Sequence, residues 1–277
     1  MIKVMVYVII AVFGLALGSF VNAFAWRVSK QSKLTSAKKR RKYSIAHGRS
    51  MCPYCEHELS ATELIPVISW LVQGGRCRHC KKSISIQYPF VELVFCISLV
   101  VSYVYWPLNL SSVVEWLLFA IWAGLLVVGF TLAIIDIRSQ LLPTHLVYAF
   151  GGLSIVFVFV QFVIDSNVAS LYSSMFGAVL LGGLFYLVYQ VSAGRWIGGG
   201  DVRLLAVMGI LLGWQKGVLA LLLGCYLASA VILILFFAGK YHKKMRIAFG
   251  PFLLTATYGA LLFGQNFVDF YKRLSGL

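Results

Sequence analysis

Acidic side chains are scarce in this sequence. Only 9 of its 277 residues are Asp or Glu, against 24 Lys and Arg, and charged residues together make up 12% of the chain. A soluble domain carries roughly one-quarter charged residues, so this composition excludes an ordinary water-soluble protein. Hydrophobic residues make up 60% of the chain and the mean hydropathy is +0.87. The composition therefore indicates a polytopic membrane protein.

Two of the few acids lie at the ends of apolar segments. Asp136 follows the apolar run Val127–Ile135, and Asp201 follows the glycine run Gly198-Gly199-Gly200, where another apolar segment begins. An ionised carboxylate at the edge of a bilayer needs water or a partner, so acids in such places are candidate functional residues. We interpret Asp136 and Asp201 as the two halves of a catalytic site.

A third acid, Glu92, lies in the first turns of a predicted membrane helix. Two interpretations are open for it. It is either a helix N-terminal acid stabilised by the helix dipole or part of a functional site.

The apolar segments predict an all-α fold with about eight membrane-spanning helices. The first covers residues 1–26 and is long enough to span (~20 apolar residues), which favours a membrane helix over a cleaved signal peptide. Its Gly14 and Gly18 are spaced for close helix packing, and the polar Asn22 is expected to end it. The other seven spans are predicted at approximately Tyr88–Trp106, Val113–Ile135, Leu142–Val163, Ala169–Val191, Asp201–Trp214, Gly217–Ala238 and Ile247–Phe263.

Acids are absent from the basic stretch Arg27–Arg49. Such a run between membrane helices is typical of a cytoplasmic segment facing lipid headgroups, rather than of a nucleic-acid site. If Arg27–Ser83 is cytoplasmic and the spans alternate, 20 of the 24 Lys and Arg lie on the cytoplasmic side. This topology places Asp136 and Asp201 at the same, cytoplasmic, edge of the membrane.

Cysteines are few, but four of the six form two Cys-x-x-Cys pairs, Cys52/Cys55 and Cys77/Cys80. This spacing presents four thiolates to one tetrahedral ion and predicts a structural zinc ribbon. Disulfides are disfavoured because the segment is predicted to be cytoplasmic. His57 and His79 are alternative ligands.

The predicted organisation has three parts. Residues 1–26 form the first membrane helix, residues 27–83 a cytoplasmic basic loop with the zinc ribbon, and residues 84–277 a multi-span membrane domain. A short apolar segment between the cysteine pairs, Leu64–Leu71, is too short to span and is expected to pack on the membrane surface or under the zinc site.

Two carboxylates at one membrane edge suit amide hydrolysis. A pair that shares one proton can take a proton from water with one carboxylate and polarise a carbonyl with the other. Gly198, Gly199 and Gly200 would let a peptide substrate approach the backbone closely. No Lys-Ser or Lys-Thr follows these glycines, which argues against a phosphate-binding loop.

The combination of motifs resembles the type IV prepilin peptidases, membrane aspartic proteases of bacteria that usually also act as N-methyltransferases. The resemblance covers nearly the whole chain. It is carried by Gly18-Ser19-Phe20-Val21-Asn22 with Arg27, the two cysteine pairs, Tyr88-Pro89-Phe90-Val91-Glu92-Leu93, Asp136 to Pro143, Gly198-Gly199-Gly200-Asp201 and Gly250-Pro251-Phe252.

By this resemblance, Asp136 and Asp201 are the catalytic aspartates, and the substrates are prepilins and pseudopilins cleaved at the cytoplasmic edge of the bacterial inner membrane. S-adenosylmethionine would be the methyl donor, although no pattern in Arg27–Ser83 identifies its site.

The sequence departs from the usual pattern of the family at three places, one of them a pair of residues. Arg203 replaces a common lysine, a change that keeps the charge and is expected to have little effect. Thr144 replaces a frequent aspartate or asparagine, and Arg195-Trp196 precede the glycines where an acid often occurs. Both aspartates are retained.

Two other functional classes are alternatives. A proton-coupled transporter could use Asp136 and Asp201 as a relay, and a membrane scaffold could bind partners through the zinc ribbon. The transporter leaves the glycine run and the zinc ribbon without a function, and the scaffold predicts that replacing either aspartate changes only stability.

Overall fold

The computed structural model describes residues 2–32, 34, 43–44, 48–242, 245 and 247–275, without the side chains of residues 2, 3, 272 and 275. The most basic part of the predicted cytoplasmic loop, residues 38–42, lies outside the described residues. The chain divides into two compact units, Met1–Val104 and Tyr105–Leu277.

The first unit contains two long helices and a small cysteine-bearing segment between them. Its helices are α1 (Ile2–Gln31), a 3-10 turn (Ala61–Leu64), α2 (Ile68–Val72) and α3 (Gln87–Val104). Two isolated β-bridges, Met51 with Glu58 and Arg76 with Ser83, are the only β-pairing among the described residues.

Helices α1 and α3 cross at the two glycines that the sequence singled out. A Cβ atom on Gly14 would lie 2.9 Å from the Cα of Cys96, and one on Gly18 would lie 2.8 Å from the Cα of Glu92. Neither position has room for a side chain, so the backbones of α1 and α3 approach directly. The prediction of close helix packing at these glycines is confirmed.

The prediction that α1 ends within residues 1–26, near Asn22, is wrong, because the helix continues to Gln31. No glycine or proline between these residues would stop it. The Asn22 side chain donates a hydrogen bond from Nδ2 to the carbonyl of Tyr88 on α3, at 3.0 Å, instead of capping its own helix.

The second unit is entirely helical in its described secondary structure. Its elements are α4 (Val113–Ser139), α5 (Thr144–Asp165), α6 (Val168–Gly177), a π-helical segment (Ala178–Gly183), α7 (Leu184–Val191), α8 (Gly199–Phe237) and α9 (Gly250–Ser275). With the first unit, they confirm the all-α fold.

Helix α4 is the most deeply buried of the long apolar helices. It begins with a capping box in which Glu115 N–H donates to Ser112 Oγ at 3.2 Å and Ser112 N–H donates to Glu115 Oε2 at 2.8 Å. Such a box satisfies backbone N–H groups that have no partner inside the helix. Farther along, the helix is buried on most sides, down to Ile134, Ile135 and Asp136.

Six helices in the described part of the chain are long and apolar enough to cross a membrane. The predicted number was eight, and the two differ at two places. The sixth and seventh predicted spans both lie in α8, on either side of a kink at Gly213, where the backbone leaves helical geometry with φ 73° and ψ 177°. They are therefore two helices that count as one long helix among the six. The eighth lies in α9, which is not among the six.

A tight glycine crossing holds the first half of α8 against α6 and the π-helical segment. Gly209 of α8 meets the backbone of Gly177 with no room for a Cβ atom, and a Cβ on Gly182 would lie 2.6 Å from the Cβ of Ala206. Because these contacts involve backbone, they leave α8 little freedom to shift. The crossing therefore helps to fix the beginning of α8, where Asp201 lies.

Candidate active site

Asp136 lies near the end of α4 and is buried, with 5% of its surface exposed. The backbone N–H of Gly250, at the start of α9, donates to its Oδ2 at 3.0 Å. Helix α4 stops just beyond it, where Gln140 takes a left-handed conformation with φ 53°. The carboxylate is thus held by an element that lies 114 residues farther along the chain.

The contact at Gly250 requires a glycine. A Cβ atom at this position would lie 2.7 Å from Oδ2 of Asp136. Any larger residue would displace the carboxylate.

Asp201 lies in the first turn of α8, which Gly198 caps with an extended backbone. Its carboxylate accepts a hydrogen bond from the N–H of Gly198. This is the acidic half of a capping box, and a carboxylate there also faces the positive end of the helix dipole. Unlike Asp136, Asp201 is only partly buried.

The structure brings the two aspartates into one site. The charge of Asp136 acts on the Asp201 carboxyl group through space. Leu142, in the connection between α4 and α5, packs against Gly200 next to Asp201 and against Gly250, which holds Asp136. Its Cβ is 3.0 Å from the Cβ position at Gly200, and its Cδ2 is 3.4 Å from that at Gly250. Three segments of the second unit therefore meet around the pair.

Each glycine of the run has its own neighbour. A Cβ on Gly198 would lie 3.1 Å from Oδ2 of Asp201, and one on Gly199 would lie 3.6 Å from the Tyr189 ring, while Gly200 faces Leu142. Packing within the chain thus accounts for a small residue at Gly200, whereas a Cβ at Gly199 would be in ordinary van der Waals contact. The part that these glycines play in substrate binding stays a prediction.

Two of the three departures from the family pattern are partners in one contact. Arg203 Nη1 on α8 donates to Thr144 Oγ1, the first residue of α5, at 2.5 Å. Arg203 lies two residues after Asp201 on α8. Thr144 begins α5, directly after the connection from α4, the helix that carries Asp136. The contact ties together the chain segments that carry the two acids, a role that sequence reasoning missed.

The supporting residues Gly250, Leu142 and Tyr189 were also missed as parts of the site. The only signal in the sequence was the Gly250-Pro251-Phe252 motif, and it gave no indication of which residue Gly250 would contact.

The four predicted cysteines form a cluster in the first unit. The Sγ atoms of Cys52, Cys55, Cys77 and Cys80 lie within 4.8 Å of one another. The two halves of the cluster have the same local backbone. Cys52 N–H donates to the carbonyl of His57 at 2.9 Å, and Cys77 N–H donates to that of Lys82 at 3.0 Å. Glu56 and Lys81, at matching positions, both have a left-handed φ of 55–60°.

This geometry fits a tetrahedral metal ion. Zinc–sulfur bonds of 2.3 Å imply sulfur–sulfur distances of about 3.8 Å, and Cys52 Sγ lies 3.9 Å from Cys80 Sγ. The N–H of Cys80 lowers the pKa of Cys77 to about 7, whereas burial raises the pKa of Cys52 to about 11. His57 and His79 pack against each other, with ring centroids 3.8 Å apart, and are not in the cluster.

Two family models match the chain. The Bacterial Peptidase A24 N-terminal domain matches residues 12–106, and the Type IV leader peptidase family matches residues 123–234. The first match lies almost wholly in the cysteine-bearing unit, and the second includes both Asp136 and Asp201.

Several curated proteins are similar over nearly their whole length. The prepilin leader peptidase/N-methyltransferase of Stutzerimonas stutzeri is 32% identical, over 96% of this chain and 93% of that protein. The protein of the same name from Pseudomonas aeruginosa is 31% identical, over 95% of this chain and 92% of that protein. The one from Bacillus subtilis is 29% identical, over 96% of this chain and 98% of that protein. No solved structure gives a significant match. The chain therefore belongs to the type IV leader peptidase family.

Proposed function

We propose that this protein is a membrane aspartic endopeptidase that removes the leader peptide of type IV prepilins and pseudopilins and then N-methylates the new N-terminal residue. The observation that carries this proposal is the meeting of Asp136 and Asp201 in one site, each carboxylate held by a backbone N–H. Relatives that match over nearly their whole length have names that state both activities.

The two aspartates act as a pair that shares one proton. Like charges in one site disfavour double ionisation, so one carboxylate stays protonated while the other is ionised. The ionised carboxylate takes a proton from the attacking water, and the protonated one donates to the peptide carbonyl. Gly250 and Gly198 orient the pair. Gly198, Gly199 and Gly200 form the edge along which the substrate backbone approaches.

The six apolar helices and the distribution of Lys and Arg support a multi-pass protein of the bacterial cytoplasmic membrane. The catalytic pair lies at the cytoplasmic edge, next to the basic leader of the substrate. We assign the peptidase to the membrane domain, residues 84–277, and metal binding to the insertion, residues 27–83. The lipid bilayer and the prepilin are the partners, and nucleic acid is not.

The function is tested by coexpressing a prepilin with this protein in membranes. We expect a shortened pilin whose new N-terminus carries one additional methyl group, detected by mass spectrometry. A proton-coupled transporter would produce ion flux and leave the prepilin at full length. That result would refute the proposal.

Zinc is the structural metal of the cysteine cluster. Four thiolates complete its coordination and leave no open position for a catalytic water, so the metal stabilises the fold and takes no part in hydrolysis. S-adenosylmethionine supplies the methyl group.

Replacing Cys52 and Cys77 together by Ser should remove the metal. We expect about one zinc per wild-type chain and almost none in the variant, together with a lower thermal stability, because structural zinc contributes directly to folding. Metal analysis of the purified protein measures this. Cys225→Ser, an exposed cysteine of α8, is the matched control and should keep its zinc. A wild-type content well below one would contradict the zinc assignment.

The contact between Arg203 and Thr144 should support cleavage by positioning. Thr144→Val and Arg203→Met should each lower the cleavage rate about three- to tenfold, since a solvent-exposed hydrogen bond worth about 1 kcal/mol is lost. The double variant should be no slower than the slower single variant, because both remove the same contact. Thr144→Asp should retain activity through an ion pair with Arg203. Independent, multiplicative losses would show that the contact has no role.

A further inference from the structure

The first unit contains a cavity of about 140 Å³ that the peptidase chemistry does not use. It lies between α1, the start of α3, α2 and the cysteine cluster. Cys52 and Cys77 form one part of its wall, and Trp26, Trp70 and Tyr88 provide aromatic rings. All of its lining residues belong to the first unit.

The buried acid Glu92 lines this cavity, with 7% of its surface exposed. Its Oε2 accepts a hydrogen bond from the N–H of Val67 at 2.7 Å, and Ser19 also hydrogen-bonds to its side chain. Among the described residues, it forms no ion pair. A buried carboxylate without a cation is costly, so it is either protonated or paired with a positively charged ligand. This favours a site role for Glu92, one of the two interpretations that the sequence left open.

The cavity lining carries more acidic than basic side chains, although the chain as a whole is strongly basic. The protein has a net charge of +15, yet the charged lining residues are two acids, Glu63 and Glu92, and one base, Arg27. Hydrogen bonding from the Ser60 N–H lowers the pKa of Glu63, so this carboxyl is ionised at neutral pH. A ligand with two positive charges and one negative charge would match this set.

The aromatic walls are held in place by other contacts. Trp70 donates from Nε1 to the carbonyl of Ile84 at 3.1 Å, and its ring packs against Gly75, where a Cβ atom would lie 2.9 Å away. The backbone of Tyr88 is held by its carbonyl, which accepts a hydrogen bond from Asn22 Nδ2. Rigid aromatic faces bind flat nucleobases by stacking and bind cations through their π-electrons.

We propose that this cavity binds the methyl donor, a sulfonium nucleoside with an amino-acid tail, and that Glu92 faces its sulfonium charge. S-adenosylmethionine carries a sulfonium, an ammonium and a carboxylate, which match the two acids and the one base. Methylation forms a bond from the substrate amine to the methyl carbon while the carbon–sulfur bond breaks. Its electron pair stays on sulfur, and the amine loses one proton. The assignment rests on the proposed methyltransferase activity.

The test is a binding measurement on the purified full-length protein without prepilin. Titration calorimetry compares S-adenosylmethionine with S-adenosylhomocysteine, which lacks the methyl group and the sulfonium charge. We expect Glu92→Gln to reduce the preference for S-adenosylmethionine by about tenfold or more, because the facing charge is lost. Affinity for S-adenosylhomocysteine should change much less. Glu58→Gln, an exposed acid outside the cavity, should leave both affinities unchanged.

A second measurement needs no variant and covers the case in which Glu92→Gln does not fold. Ultraviolet crosslinking of labelled S-adenosylmethionine to the wild-type protein should label peptides that contain Trp26, Trp70 or Tyr88. An unchanged preference in Glu92→Gln, no binding to the wild type, or label confined to residues 105–277 would overturn the assignment. Cleavage is assayed separately, so none of these results would refute the peptidase proposal. Conversely, donor binding can still be measured if the protein does not cleave prepilin.

Discussion

Asp136→Asn and Asp201→Asn should each lower prepilin cleavage by at least about 10²- to 10⁴-fold, the usual contribution of a general acid or base. Asparagine keeps the shape of the side chain but cannot share the proton on which the pair depends. Full-length precursor should accumulate in membranes, and the ratio of precursor to shortened pilin on a gel measures the loss.

The appropriate control is Asp165→Asn, an exposed acid at the end of α5, which should cleave at the wild-type rate. Because Asp201 also accepts a hydrogen bond at the start of α8, expression and thermal stability must be compared for every variant. Normal processing by either Asp136→Asn or Asp201→Asn would exclude that residue from the mechanism. It would also favour the transporter or scaffold alternatives.

Gly250→Ala should have the second largest effect, a loss of cleavage of about a hundredfold, the loss that a displacement of roughly 1 Å can cause at a catalytic group. The new methyl group would lie 2.7 Å from Asp136 Oδ2, so the carboxylate must move away. The atom that yields is the end of a side chain, and the fold should therefore tolerate the change. We expect reduced kcat with nearly unchanged thermal stability.

Gly259→Ala, in the same helix, is the matched control. No atom lies within 4 Å of a Cβ at that position, so cleavage should remain at the wild-type rate. Equal losses in both variants would indicate a general effect on α9, and full activity in Gly250→Ala would show that its contact with Asp136 does not control catalysis.

The helical segments could be predicted well from the sequence because a bilayer constrains its helices strongly. Spanning segments must be long, apolar and internally hydrogen-bonded, and these properties are visible in a single chain. Helix ends were less predictable. The end of α1 depends on a partner, since Asn22 bonds to Tyr88 on α3. The break between the two predicted spans of α8 falls at Gly213, close to the boundary that the sequence predicted.

The cysteine cluster was predictable for a different reason. Each Cys-x-x-Cys pair forms its own local turn, so the spacing alone implies a pair of neighbouring sulfurs. The structure adds that both turns share one backbone geometry and that the four sulfurs meet.

The sequence by itself determined that the chain is apolar enough for a membrane protein, that its fold is all-α, that four cysteines form two Cys-x-x-Cys pairs, and that Asp136 and Asp201 are candidate site residues. These follow from composition and from short motifs, which depend on local chemistry. Only the tertiary structure decided that Gly250 holds Asp136, that Arg203 meets Thr144, and that Glu92 lines a cavity with aromatic walls. Those contacts join residues far apart in the chain, and no local pattern specifies which helices will pack together.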